Sequence, residues 1–258
     1  MAWLMVIVSF FVMWIATLCK ILHTTRSSSK AAFLNDGGSL HQRSILLVIA
    51  HPDDESMFFT PTINYLTSRG HNLHIICMST GNADGMGNIR KEELLQASAV
   101  LKIPLPQVKI LDHPDLQDGF GKVWNSELLA SIVDEYILSR AIDLIITFDN
   151  YGVSGHCNHR DLNRGIRKLL HKTAERDIEA WELISINIVR KYSGPVDICL
   201  SLVSAMFYQN GELHCLLNEC PNRSYNAMAQ HRSQWIWFRK LFVVFSSYTY
   251  VNTLKKIN

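Results

Sequence analysis

The sequence of 258 residues predicts an α/β fold in which helices flank a doubly wound, mostly parallel sheet. Three observations predict this class. Short apolar runs alternate along the chain with longer segments of helical periodicity. The runs are apolar throughout, as in strands whose two faces are both covered. Because crossovers between parallel strands are right-handed, this alternation builds a Rossmann-like sheet.

The first two thirds of the chain contain the clearest elements. Each apolar run predicts a strand, and each longer amphipathic segment predicts a helix. Strands are expected at residues 45–50, 73–78, 108–112 and 142–148. Helices are expected at about residues 54–68, 89–102, 124–140 and 158–173. Within the third helix, Leu129, Val133 and Tyr136 recur at helical spacing and therefore share one face.

After residue 180 the pattern changes to shorter apolar runs. Residues 182–189, 196–200 and 202–216 predict later strands or a hairpin, with Asn210-Gly211 as its turn. A last helix is predicted over residues 224–240. The aromatic side chains that crowd the C-terminal region either close the core or lie at a membrane interface.

The N-terminal segment is apolar. Residues 2–19 carry no charge and include four aromatic side chains. As a helix, this segment would extend about 27 Å, which is enough to cross a thin bilayer. A signal peptide is the alternative, but no basic residue precedes the apolar core and no small-residue cleavage site is evident. We therefore expect residues 1–19 to form one transmembrane helix.

The rest of the chain divides into a linker and one domain. Residues 20–43 are rich in Ser, Thr, Asn and Gly, which predicts a linker, and residues 44–258 are expected to form one folded domain. Basic residues follow the apolar segment and none precedes it, which predicts that the domain faces the cytosol. The terminal Lys255-Lys256-Ile257-Asn258 resembles a dilysine retrieval signal, which predicts the endoplasmic reticulum membrane.

Composition argues against two classes of protein. Charged residues make up 19% of the chain, the net charge is +2 and the basic residues are scattered, so no nucleic-acid partner is expected. The six cysteines contain no Cys-x-x-Cys pair. That pattern matches neither a disulfide framework nor a zinc finger, and it favours a reducing compartment.

The most informative segment is Ala50-His51-Pro52-Asp53-Asp54-Glu55, directly after the first strand. Three carboxylates this close repel one another unless a cation or a proton lies between them. A divalent metal accounts for the cluster, because one carboxylate can bind the ion while a neighbour serves as a base. Helix capping is the alternative, but a cap needs only one of these side chains.

A second cluster follows the strand predicted at residues 142–148. His156 and His159 stand three apart in a glycine-rich loop that opens a helix, so both rings can face one centre. Ligands of open parallel sheets collect outside the carboxyl ends of the strands. We therefore expect both clusters at one edge of the sheet, with enough ligands for a three-coordinate zinc site and one position left for water.

A third loop on that edge spans residues 81–87 and contains four glycines or small residues around Asp84. It lacks the Gly-Lys-Ser/Thr of a P-loop, so a nucleoside triphosphate is poorly supported. A substrate loop or a phosphate cradle remains open. Arg90, on the next helix, either reaches this edge or merely begins a surface helix, and both Arg90 and Asp84 are candidates for substrate binding.

These motifs together resemble the LmbE-like zinc de-N-acetylases. The resemblance covers about residues 44–258 and is carried by residues 51–55, 79–85, 111–118 and 152–159. It implies an α/β fold with one zinc ion per chain. Other divalent metals also accept histidine and carboxylate ligands.

The resemblance also implies a role for individual side chains. The implied zinc ligands are His51, Asp54 and His159. Asp53 takes the place of the general base, and His156, protonated, takes the place of the group that holds the oxyanion or protonates the leaving amine. His231 matches a C-terminal motif near the substrate. Asn158 stands where many bacterial relatives have Asp.

For eukaryotic members, the resemblance implies conversion of N-acetylglucosaminyl-phosphatidylinositol to glucosaminyl-phosphatidylinositol and acetate, an early step of GPI-anchor biosynthesis. The expected partners are that lipid and a membrane. The residues alone predict only a metal hydrolase on an α/β scaffold. A metallophosphoesterase, which usually needs two metals, and a non-catalytic membrane-tethered sugar-binding module stay open as alternatives.

Overall fold

The computed structural model describes residues 2–24, 33–34, 42–207 and 212–258. The strands of these residues form one sheet of seven. They are β1 (Ser44–Ile49), β2 (Asn72–Cys77), β3 (Val108–Ile110), β4 (Leu144–Phe148), β5 (Glu179–Leu183), β6 (Leu213–Leu217) and β7 (Val251–Lys256). Across the sheet they lie in the order β3-β2-β1-β4-β5-β7-β6.

Helices cover both faces of the sheet. In the described parts of the chain they are α1 (Ala2–Thr24), α2 (Asp54–Met57), α3 (Thr60–Ser68), α4 (Gly87–Val100), α5 (Ser126–Arg140), α6 (Gly152–Gly155), α7 (Cys157–Lys172), α8 (Ile188–Lys191), α9 (Asp197–Phe207), α10 (Pro221–Met228) and α11 (Trp237–Phe245). Short 3-10 turns connect several of them, including Gly194–Val196 before α9 and Arg232–Gln234 before α11.

The predicted α/β class is confirmed, and five of the strands are parallel. β1 pairs with β2 on one side and with β4 on the other, while β3 and β5 extend the two halves. β7 pairs antiparallel with both β5 and β6, so the sheet as a whole is mixed. The parallel part has the order expected of a doubly wound sheet, whose direction of winding reverses between β1 and β4.

Burial explains why the central strands could be predicted from the sequence. Residues 45–49 of β1 and all of β4 are buried, so every position in them excludes water and favours an apolar side chain. Because β1 and β4 are parallel neighbours, they end side by side at one edge of the sheet. The segments that follow them are thereby brought together, and this is the edge that carries the site.

The later elements differ from the sequence prediction. Most of residues 196–200 and the beginning of 202–216 form α9, because a short apolar run fits a half-buried helix as well as a strand. The end of the second run is a strand, β6, as predicted. The strand predicted at 182–189 overlaps β5 only at its first two residues, since β5 begins at Glu179 and ends at Leu183, and the end of the predicted strand lies in α8. The predicted turn at Asn210-Gly211 lies outside the described residues.

Two helical predictions are also corrected. The helix predicted at residues 54–68 is two helices, α2 and α3, because the chain bends at Phe58 and Phe59. The helix predicted at residues 224–240 is instead α10, a 3-10 turn and α11. Strand β7 was not predicted, since its sequence Val-Asn-Thr-Leu-Lys-Lys has only two apolar residues. This segment is a strand because it pairs with β5.

The N-terminal segment is helical, but the predicted membrane span is not supported. Among the residues that the structure describes, no helix is both long enough and apolar enough to cross a bilayer. Part of the apolar surface of α1 is used within the protein, where Trp14 packs against Phe245 and Tyr250. Most of the predicted linker, residues 20–43, lies outside the described ranges, although Phe33 is buried against Trp181.

Candidate metal and active site

Three imidazoles meet at the carboxyl ends of β1 and β4. The ring centroid of His51 lies 4.8 Å from that of His156 and 5.4 Å from that of His159. One nitrogen of each ring lies within 4.8 Å of the others, an arrangement that can hold a metal ion. The prediction that two clusters about a hundred positions apart meet at one edge of the sheet is therefore confirmed.

His159 is fixed by its backbone surroundings. Its Nδ1 lies 3.1 Å from the carbonyl oxygen of Gly152, so Nδ1 donates and the lone pair resides on Nε2. A side chain at Gly152 is excluded, since its Cβ would lie 2.6 Å from the Cβ of His159. Phe148 stacks on the imidazole at 4.0 Å. These three contacts set the direction in which Nε2 points.

The Nε2 atom of His159 faces a carboxylate without a hydrogen bond. It is buried, has no hydrogen-bond partner and lies 3.2 Å from Oδ1 of Asp54. Two lone pairs at that distance repel unless a cation or a proton separates them. Two ligands of a tetrahedral zinc ion lie about 3.3 Å apart, given metal–ligand distances of about 2.0 Å. The separation therefore fits a bound divalent metal.

Asp54 is held as a carboxylate at the start of α2. Its Oδ2 accepts the backbone N–H groups of Ala50 and His51 at 3.0 and 2.9 Å. Burial raises the pKa of a carboxyl group, but His159 and His51 outweigh that effect and lower the pKa of Asp54. An ionised Asp54 with Oδ1 directed at His159 is the form that a metal requires.

The ring of His51 is oriented by partners on its outer side. Its Nε2 lies 3.1 Å from Oδ1 of Asn158 and 3.1 Å from Oδ1 of Asp118, so Nε2 donates and Nδ1 carries the lone pair. Nδ1 lies 3.8 Å from Oδ2 of Asp54. Burial opposes a charge on His51, but Asp118 and Asp54 raise its pKa. The same carboxylates would stabilise a cation bound at Nδ1.

Asn158 has a positioning role that the sequence left undefined. It is fully buried, and its Nδ2 donates to the carbonyl oxygen of Lys122 at 2.9 Å. That hydrogen bond directs Oδ1 towards His51, and the amide thereby fixes the tautomer of the imidazole.

The three residues predicted as zinc ligands, His51, Asp54 and His159, lie together. His156 is close enough to be a third imidazole ligand, which the sequence did not predict. Neither set contains a thiolate, and the set of His51, Asp54 and His159 combines nitrogen with carboxylate oxygen, as in hydrolytic zinc sites. Cys157 donates to the carbonyl oxygen of Gly119 and is not part of the cluster.

Asp53 lies beside the cluster and is 4% exposed. Its Oδ2 is 3.4 Å from Arg90 and also contacts Arg239 of α11. The backbone of Asp53 has a φ of 132°, which is rare for any residue except glycine. Its N–H donates to the Glu55 side chain at 3.1 Å, and that bond holds the unusual conformation.

The protonated His156 expected from the sequence stays a prediction, but its surroundings oppose a charge on the ring. Burial lowers the pKa of His156 to about 4, and the neighbouring imidazoles of His51 and His159 act in the same direction. Its Nδ1 accepts the backbone N–H of Asn158 at 3.3 Å. In the neutral form the proton of the ring therefore lies on Nε2, and His156 can donate a hydrogen bond at the wall of the pocket.

The predicted substrate-binding residues differ in their position relative to the pocket. Arg90 and Asp84 both line the pocket, although Arg90 also donates to the carbonyl oxygens of Gly81 and Pro52 at 2.8 Å. His231 is 0% exposed, lies 2.7 Å from Oε1 of Glu55 and is not among the residues that line the pocket. A direct contact of His231 with substrate stays a prediction.

The pocket has a volume of about 430 Å³ and includes residues that the sequence did not single out. Asp118 belongs to residues 111–118, which carry part of the family resemblance, but its contacts with His51 and Arg90 depend on the fold. Arg239 reaches Asp53 from a helix 186 positions later in the chain. No local pattern marks Arg239 as part of a site.

Comparisons with known proteins point to one family. A family model described as PIG-L, GlcNAc-PI de-N-acetylase, matches residues 46–170. The N-acetylglucosaminyl-phosphatidylinositol de-N-acetylase of Bos taurus is 39% identical over 224 residues, covering 86% of this chain and 85% of the bovine protein. A probable enzyme of the same name from Schizosaccharomyces pombe is 36% identical, covering 94% of this chain and 96% of that protein.

Solved structures share the fold at low identity. The N,N'-diacetylchitobiose deacetylase from Pyrococcus horikoshii gives a TM-score of 0.55 at 15% identity and covers 83% of this chain and 84% of its own. The zinc-inhibited form of teicoplanin deacetylase Orf2 gives a TM-score of 0.54 at 12% identity, covering 83% of this chain and 97% of its own. The likeness shows the LmbE type of α/β fold.

Proposed function

This chain belongs to the PIG-L family of GlcNAc-PI de-N-acetylases, and we propose that it uses one divalent metal ion, zinc, to hydrolyse the acetamide of N-acetylglucosaminyl-phosphatidylinositol. The products are glucosaminyl-phosphatidylinositol and acetate. The de-N-acetylase names of the relatives support the reaction, and the polar pocket beside the histidines supports a sugar-sized substrate group.

One observation carries the metal dependence. The buried Nε2 of His159 and the ionised Oδ1 of Asp54 face each other at 3.2 Å with no hydrogen bond between them. With His51 they form the proposed ligand set. A divalent ion held there would act as a Lewis acid and would lower the pKa of a bound water towards about 7.

Asp53 is the proposed general base. Its carboxylate lies in the wall of the pocket next to the ligand set, and both guanidinium contacts involve Oδ2. In that position Asp53 can accept a proton from the attacking water as its oxygen bonds to the acetamide carbon. Arg90 and Arg239 offset the negative charge of Asp53, so the carboxylate can stay buried beside Asp54.

His156 is the proposed donor to the acetamide oxygen. As a neutral imidazole with its proton on Nε2, it can stabilise the negative charge that develops on that oxygen. When the carbon–nitrogen bond breaks, the proton held by Asp53 passes to the leaving amine. One water supplies the second oxygen of acetate and two protons. The first proton reaches the amine nitrogen through Asp53, and the second leaves the new carboxylic acid, so that the products at neutral pH are acetate and a protonated amine.

We further place this reaction at the cytosolic face of the endoplasmic reticulum membrane, as an early step of GPI-anchor biosynthesis. The lipid substrate named in the relatives supports a membrane location, because its acyl chains remain in a bilayer while the sugar enters the pocket. The exposed apolar side chains of α1, such as Trp3, Leu4 and Met5, support the same location.

The test is acetate release from N-acetylglucosaminyl-phosphatidylinositol by the purified chain, measured together with the appearance of a free amine. Activity should vanish on chelation and return with added zinc. The Asp53→Asn variant should keep the metal and lose about 10²–10⁴-fold in kcat. Phosphate release in place of acetate would assign a phosphoesterase, and metal binding without any turnover would indicate a binding module. Either result would overturn the proposal.

A further inference from the structure

An exposed apolar surface extends beside the pocket. It is formed by exposed side chains of α8, α9 and α11 and by Ile236 just before α11, and we call it the apolar face. Its members are Ile188, Val189, Leu200, Leu202, Val203, Met206, Phe207, Ile236, Trp237, Phe238 and Leu241, which are all exposed. Met206 is 82% exposed, Phe207 is 81% exposed and Trp237 is 72% exposed. A surface of this size is unusual unless something apolar covers it.

The helices that carry the apolar face are neighbours. The turn Gly194–Val196 contacts both α9 and α11, and Tyr192 at the end of α8 packs against Phe242 of α11. Helix α1 touches the same turn, and its Trp14 packs on Phe245 of α11. The exposed side chains are therefore carried by helices grouped around one turn and are not scattered singly over the molecule.

The charge around the apolar face is positive. No Asp or Glu occurs between Cys220 and Asn258, whereas Arg232 and Lys240 are exposed there. Between residues 184 and 211 the only acidic residue is Asp197, which is 1% exposed and paired with Arg190. The segments that carry the apolar face therefore expose basic side chains and no carboxylate, while Glu219, before α10, is the nearest exposed carboxylate along the chain. Such a surface is complementary to an anionic phospholipid surface.

The apolar face is also continuous with the pocket. Helix α11 exposes Trp237, Phe238 and Leu241, and from the same helix Arg239 extends to Asp53 inside the pocket. Gln234, just before α11, lines the pocket as well. A surface that rests on α11 therefore lies directly beside the pocket opening.

We propose that the apolar face lies in the headgroup region of an anionic phospholipid bilayer and holds the pocket against the membrane surface. The evidence for the face is independent of the reaction, but its purpose rests on the proposed function, in which the substrate is a lipid. Tryptophan and phenylalanine at the level of the headgroups, flanked by lysine and arginine, are typical of segments that lie in the interface without spanning it.

The first test uses the fluorescence of Trp237 in the full chain reconstituted with vesicles of phosphatidylcholine and phosphatidylserine. Lipids brominated near the headgroup should quench part of the emission, and the Trp237→Phe variant should lose that quenched part. Because these vesicles contain no substrate, the result does not depend on the proposed function. Equal quenching of the two proteins would overturn the proposal.

The second test compares substrate in vesicles with a water-soluble short-chain analogue. The triple variant Met206→Ser/Phe238→Ser/Leu241→Ser should lower kcat/KM on vesicle-embedded substrate about ten-fold or more, since docking concentrates enzyme at the surface, and leave turnover of the analogue unchanged. The control is Leu138→Ser on α5, which is 63% exposed and lies outside the face.

The outcomes of the two tests are distinguishable. Equal activity of the triple variant and the control on vesicles would overturn the membrane contact. A dimer in solution that the triple variant dissociates, with no quenching of Trp237 by vesicles, would assign the face to a second copy of the chain. No acetate release from either substrate by the unmodified chain would instead refute the proposed function, while the quenching result would still decide the apolar face.

Discussion

The meeting of Asp54 with His159 is the central feature at the scale of single residues. Each partner is fixed by other bonds, Asp54 through two backbone N–H groups and His159 through the carbonyl oxygen of Gly152. Neither side chain can relieve the repulsion by rotating away without losing those bonds. The site is therefore preorganised for a cation, which is what a metal centre requires.

Substitution of the proposed ligands should separate metal binding from catalysis. We expect Asp54→Ala and His159→Ala to purify with little or no metal, since each removes one of three ligands. His156→Ala should retain about one metal per chain and lose turnover, because His156 is assigned as a donor. Metal content is measured by elemental analysis beside the unmodified protein. Metal loss in His156→Ala would instead make the three imidazoles the ligand set.

Asn158 supports the site without touching the substrate. Asn158→Ala removes the acceptor that fixes the His51 ring, so we expect metal affinity to fall about 10–100-fold with the fold intact. Competition with a chelator of known affinity measures the change, and circular dichroism checks folding. Unchanged affinity would show that Asp118 alone is sufficient to orient His51.

At the scale of elements, the pair formed by Glu55 and His231 connects α2 to the segment that follows α10. Both side chains are 0% exposed, and the Glu55 carboxylate also accepts the N–H of Asp53. Burial lowers the pKa of a histidine, but Glu55 outweighs that effect and raises the pKa of His231. The pair thereby supports the strained backbone from which Asp53 projects.

Removal of one partner of this pair should destabilise the fold. His231→Ala leaves the Glu55 carboxylate buried without its cation, and we expect a loss of about 3–5 kcal/mol in the free energy of unfolding, measured by urea denaturation. The double variant Glu55→Gln/His231→Gln should recover part of the loss, because it buries no unpaired charge. A loss as large in the double variant would attribute the effect to packing and not to charge.

At the scale of the whole molecule, stability should depend on the protonation of a histidine in the sheet. His74 of β2 is 4% exposed and lies within hydrogen-bonding distance of Tyr136 and Asn72. Burial, together with Arg140, lowers its pKa below the value of about 6.5 in an unfolded chain. Below that pH the unfolded state binds the proton more readily, so its contribution to stability falls as the pH decreases.

The pH profile of thermal unfolding tests this effect. The melting temperature should fall between pH 7 and pH 5, and His74→Gln should flatten that decrease because the residue no longer titrates. Comparison with His171→Gln on the surface helix α7 controls for the loss of a histidine elsewhere. Parallel profiles for His74→Gln and the unmodified protein would contradict the assignment.

The sequence determined which chemistry this protein can carry out. The apolar runs of β1 and β4, the cluster at residues 51–55 and the pair His156 and His159 are local patterns, because burial on both faces and the turn after a strand constrain neighbouring positions directly. Those patterns were sufficient to predict the central parallel strands and the edge at which the site lies.

Only the tertiary structure decided which groups face each other. The contact of Arg239 with Asp53, the burial of His231 against Glu55 and the lowered pKa of His156 result from packing between segments far apart in the chain. Strand β7 and helix α9 are likewise set by their neighbours in the fold. A local sequence pattern specifies a period and a polarity. It does not specify the distances between remote side chains, which are set when the whole core packs.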